Sequence, residues 1–491
     1  GLIAGNGVGI GVGSSTGNQI GGTSVSQRNV ISGNNIGIDL EAGSGQNVIE
    51  GNYIGTTPDG TAAAGNKFNV QVRGSSNNRI GGSTPEQRNI IAGAFIEVVD
   101  GENEGGSGIV ITSGFLTPEN RIDPIGNTVQ GNYIGTDVTG NVALSNERAG
   151  VLLLFGATEN QVGGSAPGEG NLISGNGQYG IFMQGETDAP VQSNDIQGNI
   201  IGLNATQTAE LGNTAGIFLW GENNDNMIGE ITAGAENIIA GNSNSGIILF
   251  EGGSGNSILG NLIGLNESGD PFGNGVNGIT IEGSSGNFIG GTNSDDGNII
   301  ANNSFNGIEI SQPTGFTSMD NSILGNRIYN NGGIGIDHSG DGLTSNDDLD
   351  ADTGPNNLQN FPEISSYNLS SDQLSITYLL PSDPANTSYP VRIEFFRANT
   401  NSTQALDFLG ADSYTSTDFN SGNKFITITL PALDAFGEGD LLVATATDAS
   451  GNTSELSPAV IGLSVFVVTN TNDTGSGSLR QAMTLSEFSP Q

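Results

Sequence analysis

The stretch Asn47-Val-Ile-Glu-Gly-Asn-Tyr-Ile54 decides the fold. Its pattern returns at Asn127-Thr-Val-Gln-Gly-Asn-Tyr-Ile134, Asn194-Asp-Ile-Gln-Gly-Asn-Ile-Ile201, Asn256-Ser-Ile-Leu-Gly-Asn-Leu-Ile263 and Asn321-Ser-Ile-Leu-Gly-Asn-Arg-Ile328, in steps of 80, 67, 62 and 65 residues. A second motif interleaves with it: Asn18-Gln-Ile-Gly-Gly, Asn78-Arg-Ile-Gly-Gly, Asn160-Gln-Val-Gly-Gly, Asn226-Met-Ile-Gly and Asn287-Phe-Ile-Gly-Gly. A third, of the type Gly180-Ile-Phe-Met and Gly216-Ile-Phe-Leu, opens a new unit roughly every 30 residues. Such a period is the mark of a repeat architecture.

Working outward, the unit starts fall near Gly9, Gly37, Phe68, Gly108, Gly150, Gly180, Gly216, Gly246, Gly278, Gly307 and Gly333, which predicts eleven coils over residues 1–337. Apolar residues recur at i and i+2, the strand period, and helical spacing is absent. Strands this short, separated by Gly and Asn, are buried only by stacking each coil on the last, as a solenoid. At about 4.8 Å per coil the stack is a rod about 50 Å long. Stacked Asn side chains can form amide ladders, and Gly and Asn tolerate left-handed corners. Residues 94–126 interrupt the period with an insertion, and Thr187–Ser193 forms a longer loop. Insertions on solenoids either are passive or carry function.

Composition narrows the function classes. The 491 residues include 80 Gly, only 13% charged residues and no Cys. Disulfides, thiolate catalysis and Cys-ligated zinc are thereby excluded. The balance of 12 basic to 51 acidic residues, net −39, opposes nucleic-acid and anionic-membrane binding and favours divalent cations. No apolar run is long enough to span a membrane. The first residues read as repeat sequence rather than a signal peptide.

Residues 338–362 read as an acidic linker. Asp341, Asp347, Asp348, Asp350 and Asp352 fall within twelve residues, with Asn346 among them and no Lys or Arg between Arg327 and Arg392. Alternating Asp and Asn present oxygen donors as hard-cation loops do, so calcium held by Asp341, Asn346, Asp347, Asp348, Asp350 and Asp352 stands against a solvated linker. Residues 363–461 carry strand-like runs at Gln373–Leu380, Val391–Ala398, Ala405–Gly410, Lys424–Leu430, Leu441–Thr447 and Leu456–Ile461. About seven short strands at this spacing read as a β-sandwich. Residues 462–491 read as a strand at Val465–Val468, a loop, and a short helix over Ser478–Phe488.

The runs Arg28-Asn-Val-Ile-Ser-Gly-Asn34 and Gly51-Asn-Tyr-Ile-Gly-Thr56 resemble right-handed parallel β-helix repeats of large bacterial secreted proteins. The passage Asp341 to Pro362 is similar to the one that joins such a helix to an immunoglobulin-like module, and Ala444–Ser457 to the end of that module. The resemblance implies an all-β chain in an extracellular or cell-surface setting. The tail Val467–Met483 looks like the opening of another such β-helix. A helix end at Gly1, Leu2 and Ile3, together with a cap-like tail carrying Val465, Val467, Leu479 and Met483, suggests head-to-tail self-association, or else two cuts in a longer tandem chain.

β-Helices also host polysaccharide lyases, epimerases and hydrolases, so the fold leaves activity open. A lyase-like site needs clustered carboxylates with a basic residue. The repeat region offers Lys67 and the scattered Arg73, Arg79, Arg121, Arg148 and Arg327, while Arg28 and Arg88 belong to the repeat motif. His338 follows Asp337, which matches Asp39 in the repeat. Glu97, Asp100, Glu102, Glu251 and Glu282 form no distinctive pair in sequence, and Trp220 either packs or offers a surface to a sugar ring. The expectation is a non-catalytic extracellular structural or adhesive protein, with glycans as further partners. The alternative is a carbohydrate-active β-helix enzyme.

Overall fold

A computed structural model describes residues 5–99, 101–117, 120–293, 296–399, 403–430, 436, 437, 439–461, 474 and 480. The chain divides into two units. The first takes in Gly1–Thr344, Thr353–Leu358 and Gly451–Thr453, and the second Ser345–Asp352, Gln359–Ser450 and Ser454–Gln491.

The first unit is a parallel β-helix. One sheet has eleven parallel strands, from Val8–Val12 through Ile36–Leu40, Phe68–Arg73 and onward to Ile336–His338, and two further sheets have ten strands each. The eleven strands begin within one or two residues of the expected coil starts, except the last, which begins at Ile336. Ile and Val alternate inward and stack in rows, such as Ile38, Val70, Ile109, Val151 and Ile181 in successive coils. All five are fully buried in one continuous core. Each such side chain contributes roughly 1.5–3 kcal/mol of burial.

The repeated motif now has a reason at every position. Its first Asn belongs to one buried amide ladder and its second to another. Asn18 Nδ2 donates to Asn47 Oδ1, Asn47 to Asn78 and Asn78 to Asn127, at 2.8, 2.9 and 2.7 Å. Asn29, Asn52, Asn89 and Asn132 repeat the pattern at 2.9, 3.1 and 2.9 Å. The motif Ile faces the core, and the Gly between the two Asn turns the corner. Gly51, Gly131, Gly198, Gly260 and Gly325 all adopt φ between +65° and +71°. A Cβ at Gly51 would lie 2.1 Å from the Gly22 carbonyl oxygen, so no other residue fits.

A third ladder runs through Asn34 and Asn66 and then, beyond the insertion, through Asn146, Asn176 and Asn213. The coil with the insertion has Ala94 at the ladder position, its backbone N–H donating to Asn146 Oδ1. The gap is filled from the neighbouring strand. Asn66 Nδ2 donates to Asn69 Oδ1 at 2.9 Å, and Asn69 Nδ2 donates to Asn146 Oδ1 at 3.0 Å. Asn69 occupies the row that holds Gly37 and Gly108 on either side. The insertion itself forms two hairpins, Ile96–Val99 with Glu102–Gly105 and Gly114–Thr117 with Asn120–Ile122.

The second unit is an antiparallel sandwich. Glu363–Ser370, Gln373–Leu379 and Lys424–Thr429 form one sheet; Ala405–Tyr414, Val391–Ala398, Leu441–Thr447 and Val460–Ile461 form the other. The strand Glu363–Ser370 and the short helix Ser416–Ser421 are absent from the sequence reading. Residues 338–362 do not form a separate linker: Ser345–Asp352 and Gln359–Pro362 pack within this unit, where Asp350 is buried. Gly1, Leu2, Ile3, Val465, Val467, Leu479 and Met483 lie outside the described residues.

Replacing Asn69 with Gly, the residue its row carries in adjacent coils, opens a one-amide gap in a buried ladder. The expected loss is about 1–3 kcal/mol, read as a lower denaturant midpoint of the β-helix. An unchanged midpoint contradicts the bridging role of Asn69.

Candidate functional site

The eleven-strand sheet turns two rows of side chains outward. In most coils they lie at the second and fourth positions after the coil-start Gly, and Gln71 and Asp337 join the first row by strand register. The first row reads Asp39, Gln71, Val110, Leu152, Phe182, Phe218, Ile248, Thr280, Glu309 and Asp337. The second reads Leu154, Gln184, Trp220, Phe250, Glu282 and Ser311 over its later coils.

Aromatic residues gather mid-sheet. The rings of Tyr179 and Phe182 stack with centres 4.9 Å apart, and Tyr179 and Phe218 at 5.2 Å. Phe218 meets Phe250 at 5.9 Å, and Trp220 meets Phe250 at 6.4 Å. Phe182 is buried beneath its neighbours, whereas Trp220 is 40% exposed. These rings make a continuous apolar platform, since adjoining aromatic faces pack favourably at such separations.

Carboxylates follow immediately. Trp220 Nε1 donates to Glu251 Oε2 at 3.3 Å. Glu282 is the register partner of Phe250, and Glu309 and Asp337 are register partners on the next two strands. Asn277 Nδ2 donates to Glu309 Oε2 at 3.0 Å, and Asn306 Nδ2 to Asp337 Oδ2 at 2.8 Å. Burial, with the nearby Glu251 and Glu309 charges, pushes the Glu282 carboxyl above its ordinary range. Burial also raises Asp337, against the lowering effect of hydrogen bonds from Gly342 and Asn306 and with help from Glu309 and Asp341. Glu282 borders a cavity of about 370 Å³ lined also by Ser311, Gln312, Pro313, Ser339, Gly354 and Pro355. An apolar platform leading to a few convergent polar groups is the general form of a ligand site.

The other candidates lie elsewhere. Lys67 is buried between Glu97 and Glu104 of the first hairpin, at 3.3 and 2.6 Å. Arg73 pairs with Asp39, Arg79 with Glu50 and Arg121 with Asp123. Arg28 and Arg88 lie over the Tyr53 and Tyr133 rings at 4.1 and 4.0 Å, and Arg327 over Tyr329 at 5.6 Å. Glu102 is exposed on its hairpin, and Asp100 lies outside the described residues. His338 does not serve the outer face: it continues the inward row after Ile310 and is buried. Burial lowers it to about 4, against a hydrogen bond with the Thr453 backbone.

Of the expected metal ligands, the structure unites three. Carboxylate oxygens of Asp347, Asp350 and Asp352 lie within 4.8 Å of one another. Asp350 accepts from Asn360 N at 2.8 Å, Gln359 Nε2 at 2.7 Å and the Thr387 hydroxyl. Asp347 accepts from Ala351 and Asp352 N. Burial, then neighbouring carboxylates, raises Asp352; burial raises Asp350 despite its hydrogen bonds. Asp341 and Asp348 are exposed and apart from this group, and the Asn346 amide is engaged by the Phe361 backbone.

No protein-family model matches the chain. No curated protein matches it either. Solved structures of like architecture include a double mutant of the periplasmic alginate epimerase AlgG, at 15% identity and TM-score 0.39, covering 64% of this chain and 70% of that one. A second is the enzymatically active domain of tailspike protein 2 of bacteriophage CBA120, at 10% identity and TM-score 0.24, covering 89% and 68%. A third is a tailspike double mutant of E. coli bacteriophage HK620 in complex with a pentasaccharide, at 10% and 0.24, covering 83% and 72%. The expectation of a non-catalytic structural or adhesive protein is corrected at this point. The proteins of like architecture are an epimerase and tailspikes. No helix among the described residues is long and apolar enough to cross a membrane.

His338 makes the β-helix acid-sensitive. Its folded value near 4 lies below the ordinary 6.5, so stability is full above about 6.5 and falls as pH drops through 4, by at most about 3 kcal/mol. His338→Leu is expected to shrink the Tm difference between pH 7 and pH 4.5 relative to the unmodified chain. An equal difference in both proteins rules the effect out.

Proposed function

We propose that the outer face of the eleven-strand sheet binds an extended glycan and hydrolyses it. The observation that carries this reading is the register itself: Trp220, Phe250 and Glu282 are consecutive members of one row, with Glu309 diagonal to Glu282. Sugar rings would lie on the platform, and the scissile bond would meet Glu282 at the cavity. Glu282, its carboxyl raised, is the general acid that protonates the glycosidic oxygen. Glu309 is the base that takes a proton from water as that water attacks the anomeric carbon and the C–O bond breaks. Glu282 and Glu309 stand diagonally on adjacent parallel strands, the arrangement that would let a water sit between the two carboxyl groups, as an inverting pair requires.

Hydrolysis is favoured over elimination or epimerisation because both of those call for a basic side chain. Among the described residues this part of the face presents none, and His338 points inward.

Incubation with a polysaccharide panel, read as new reducing ends, tests the reading. Glu282→Gln is expected to lower kcat by roughly 10²–10⁴ with binding kept, and Trp220→Ala to weaken binding about three- to tenfold. The rate is expected to fall as pH rises through the elevated Glu282 pKa, because the acid form is the active one. Release of no reducing ends from any polysaccharide, or full activity in Glu282→Gln, overturns it.

We further propose that Asp347, Asp350 and Asp352 hold calcium. Three carboxylates suit a hard cation, and Asp352 Oδ1 is enclosed without a hydrogen-bond partner among the described residues. Raised carboxyl pKa values mean that, without the ion, this contribution to stability is present at low pH and lost as pH rises through them. Calcium is expected to raise the Tm of the second unit at pH 7 over that in chelator, and Asp352→Asn to abolish the increase. Equal melting in calcium and chelator removes the site.

A further inference from the structure

The glycan face lies in a part of the chain without positive charge. From Ala149 to Asn326 the sequence contains eighteen Asp and Glu and no Lys, Arg or His. On the face, Glu282, Glu309 and Asp337 fall on the last three strands of the sheet, Glu251 directly follows Phe250 at the end of the strand before, and Asp341 is close enough to bear on Asp337. The cation that borders the platform is Arg148, its guanidinium carbon 5.9 Å from the Phe182 ring centre. Phe182 lies three strands before Glu282, or about 14 Å at the usual strand spacing.

This arrangement has a consequence for what can bind. The strand spacing of about 4.8 Å is close to the length of one pyranose unit, so a glycan running along the row places one ring per coil. The rings that reach Phe250, Glu282 and Ser311 would sit beside the Glu251 and Glu309 carboxylates, with no cation among the described residues of this part of the face to offset them. An acidic sugar there meets repulsion at close range, in a cleft whose partly buried walls screen charge less than water does. Like-charge juxtaposition of this kind is a common means of rejecting wrong partners. An uncharged ring meets only the aromatic faces and the hydrogen-bond acceptors of the carboxylates.

We propose that the site selects a neutral hexose polymer and rejects glycans bearing carboxylate, sulfate or phosphate. The inference rests on the glycan-hydrolase reading above and adds its substrate class. It sets this face apart in ligand chemistry from any site for a polyuronate.

The test uses the full chain carrying Glu282→Gln, so that ligands survive, at low ionic strength with EDTA. Binding of neutral hexasaccharides (glucans of both anomeric linkages and a mannan) is measured beside galacturonate and alginate hexamers by calorimetry. At least one neutral hexamer is expected to bind, with every acidic one about tenfold or more weaker, and 0.5 M salt or Glu251→Lys is expected to narrow the gap. Acidic hexamers that bind as tightly in EDTA overturn the inference and leave the glycan reading standing. So does acidic binding that appears only on adding calcium, since an ion would then bridge the charges. Binding of neither kind overturns the glycan reading and the inference together.

Discussion

The stacked asparagine amide is the interaction on which the rest of this structure depends. Along the ladders an Asn oxygen typically accepts two hydrogen bonds, from the backbone N–H and the side-chain Nδ2 of its counterpart in the coil before, as Asn47 Oδ1 does from Asn18 at 3.0 and 2.8 Å. A buried amide left without such partners costs about 1–3 kcal/mol. The arrangement therefore penalises any slip of one coil against the next. Apolar burial supplies the larger stabilisation, but it is non-directional and would tolerate a small shift. The ladders set the register and the isoleucine rows fill the space between them.

A fixed register turns a linear repeat into a patterned surface. Because equivalent positions stack, a residue placed two or four positions after a coil-start Gly in most coils faces outward on the same sheet. Aromatic side chains in three consecutive coils then become a platform, and acidic ones in the next three become a cluster. The site is assembled from residues as far apart in sequence as Tyr179 and Asp337, yet no loop has to fold over it. Positioning of this kind on strands is more rigid than positioning on loops. The coil with the insertion marks the limit of the scheme, for there the ladder position is lost and Asn69 enters from the adjacent strand to restore continuity.

Electrostatics divides the same face. Toward the first coils, Asp39 is neutralised by Arg73. Toward the last, Glu282 and Asp337 face other carboxylates and are raised in pKa by burial and by their neighbours. Uncompensated like charge destabilises a fold unless something is gained by it, which is why perturbed carboxylates in a cleft point to function more than to architecture. The buried His338 follows the opposite logic: placed in an inward row, it is neutral because charging it would cost desolvation.

Much of this was legible in the residues alone. The Asn-Xaa-Ile-Xaa-Gly-Asn spacing determines the β-helix, its eleven coils and the ladders, because every position in it answers to a local constraint: a left-handed corner, an inward apolar side chain, a stacked amide. Most sandwich strands were equally plain, although Glu363–Ser370 was hidden by its polar alternation, which suits a strand with one face in solvent. The platform was within reach too, had Phe182, Phe218, Trp220, Phe250, Glu282 and Glu309 been aligned on their coil-start glycines rather than sought as neighbours in sequence. What only the tertiary structure decided is which titratable groups share an environment. It gathered Asp347, Asp350 and Asp352 while leaving Asp341 and Asp348 out, sent His338 inward, and paired Lys67 with a hairpin whose course no repeat foretells. Periodicity specifies where a side chain points within its own coil. Burial, hydrogen bonding and charge coupling depend on atoms brought in from elsewhere in the chain, and these appear only once the coils are stacked.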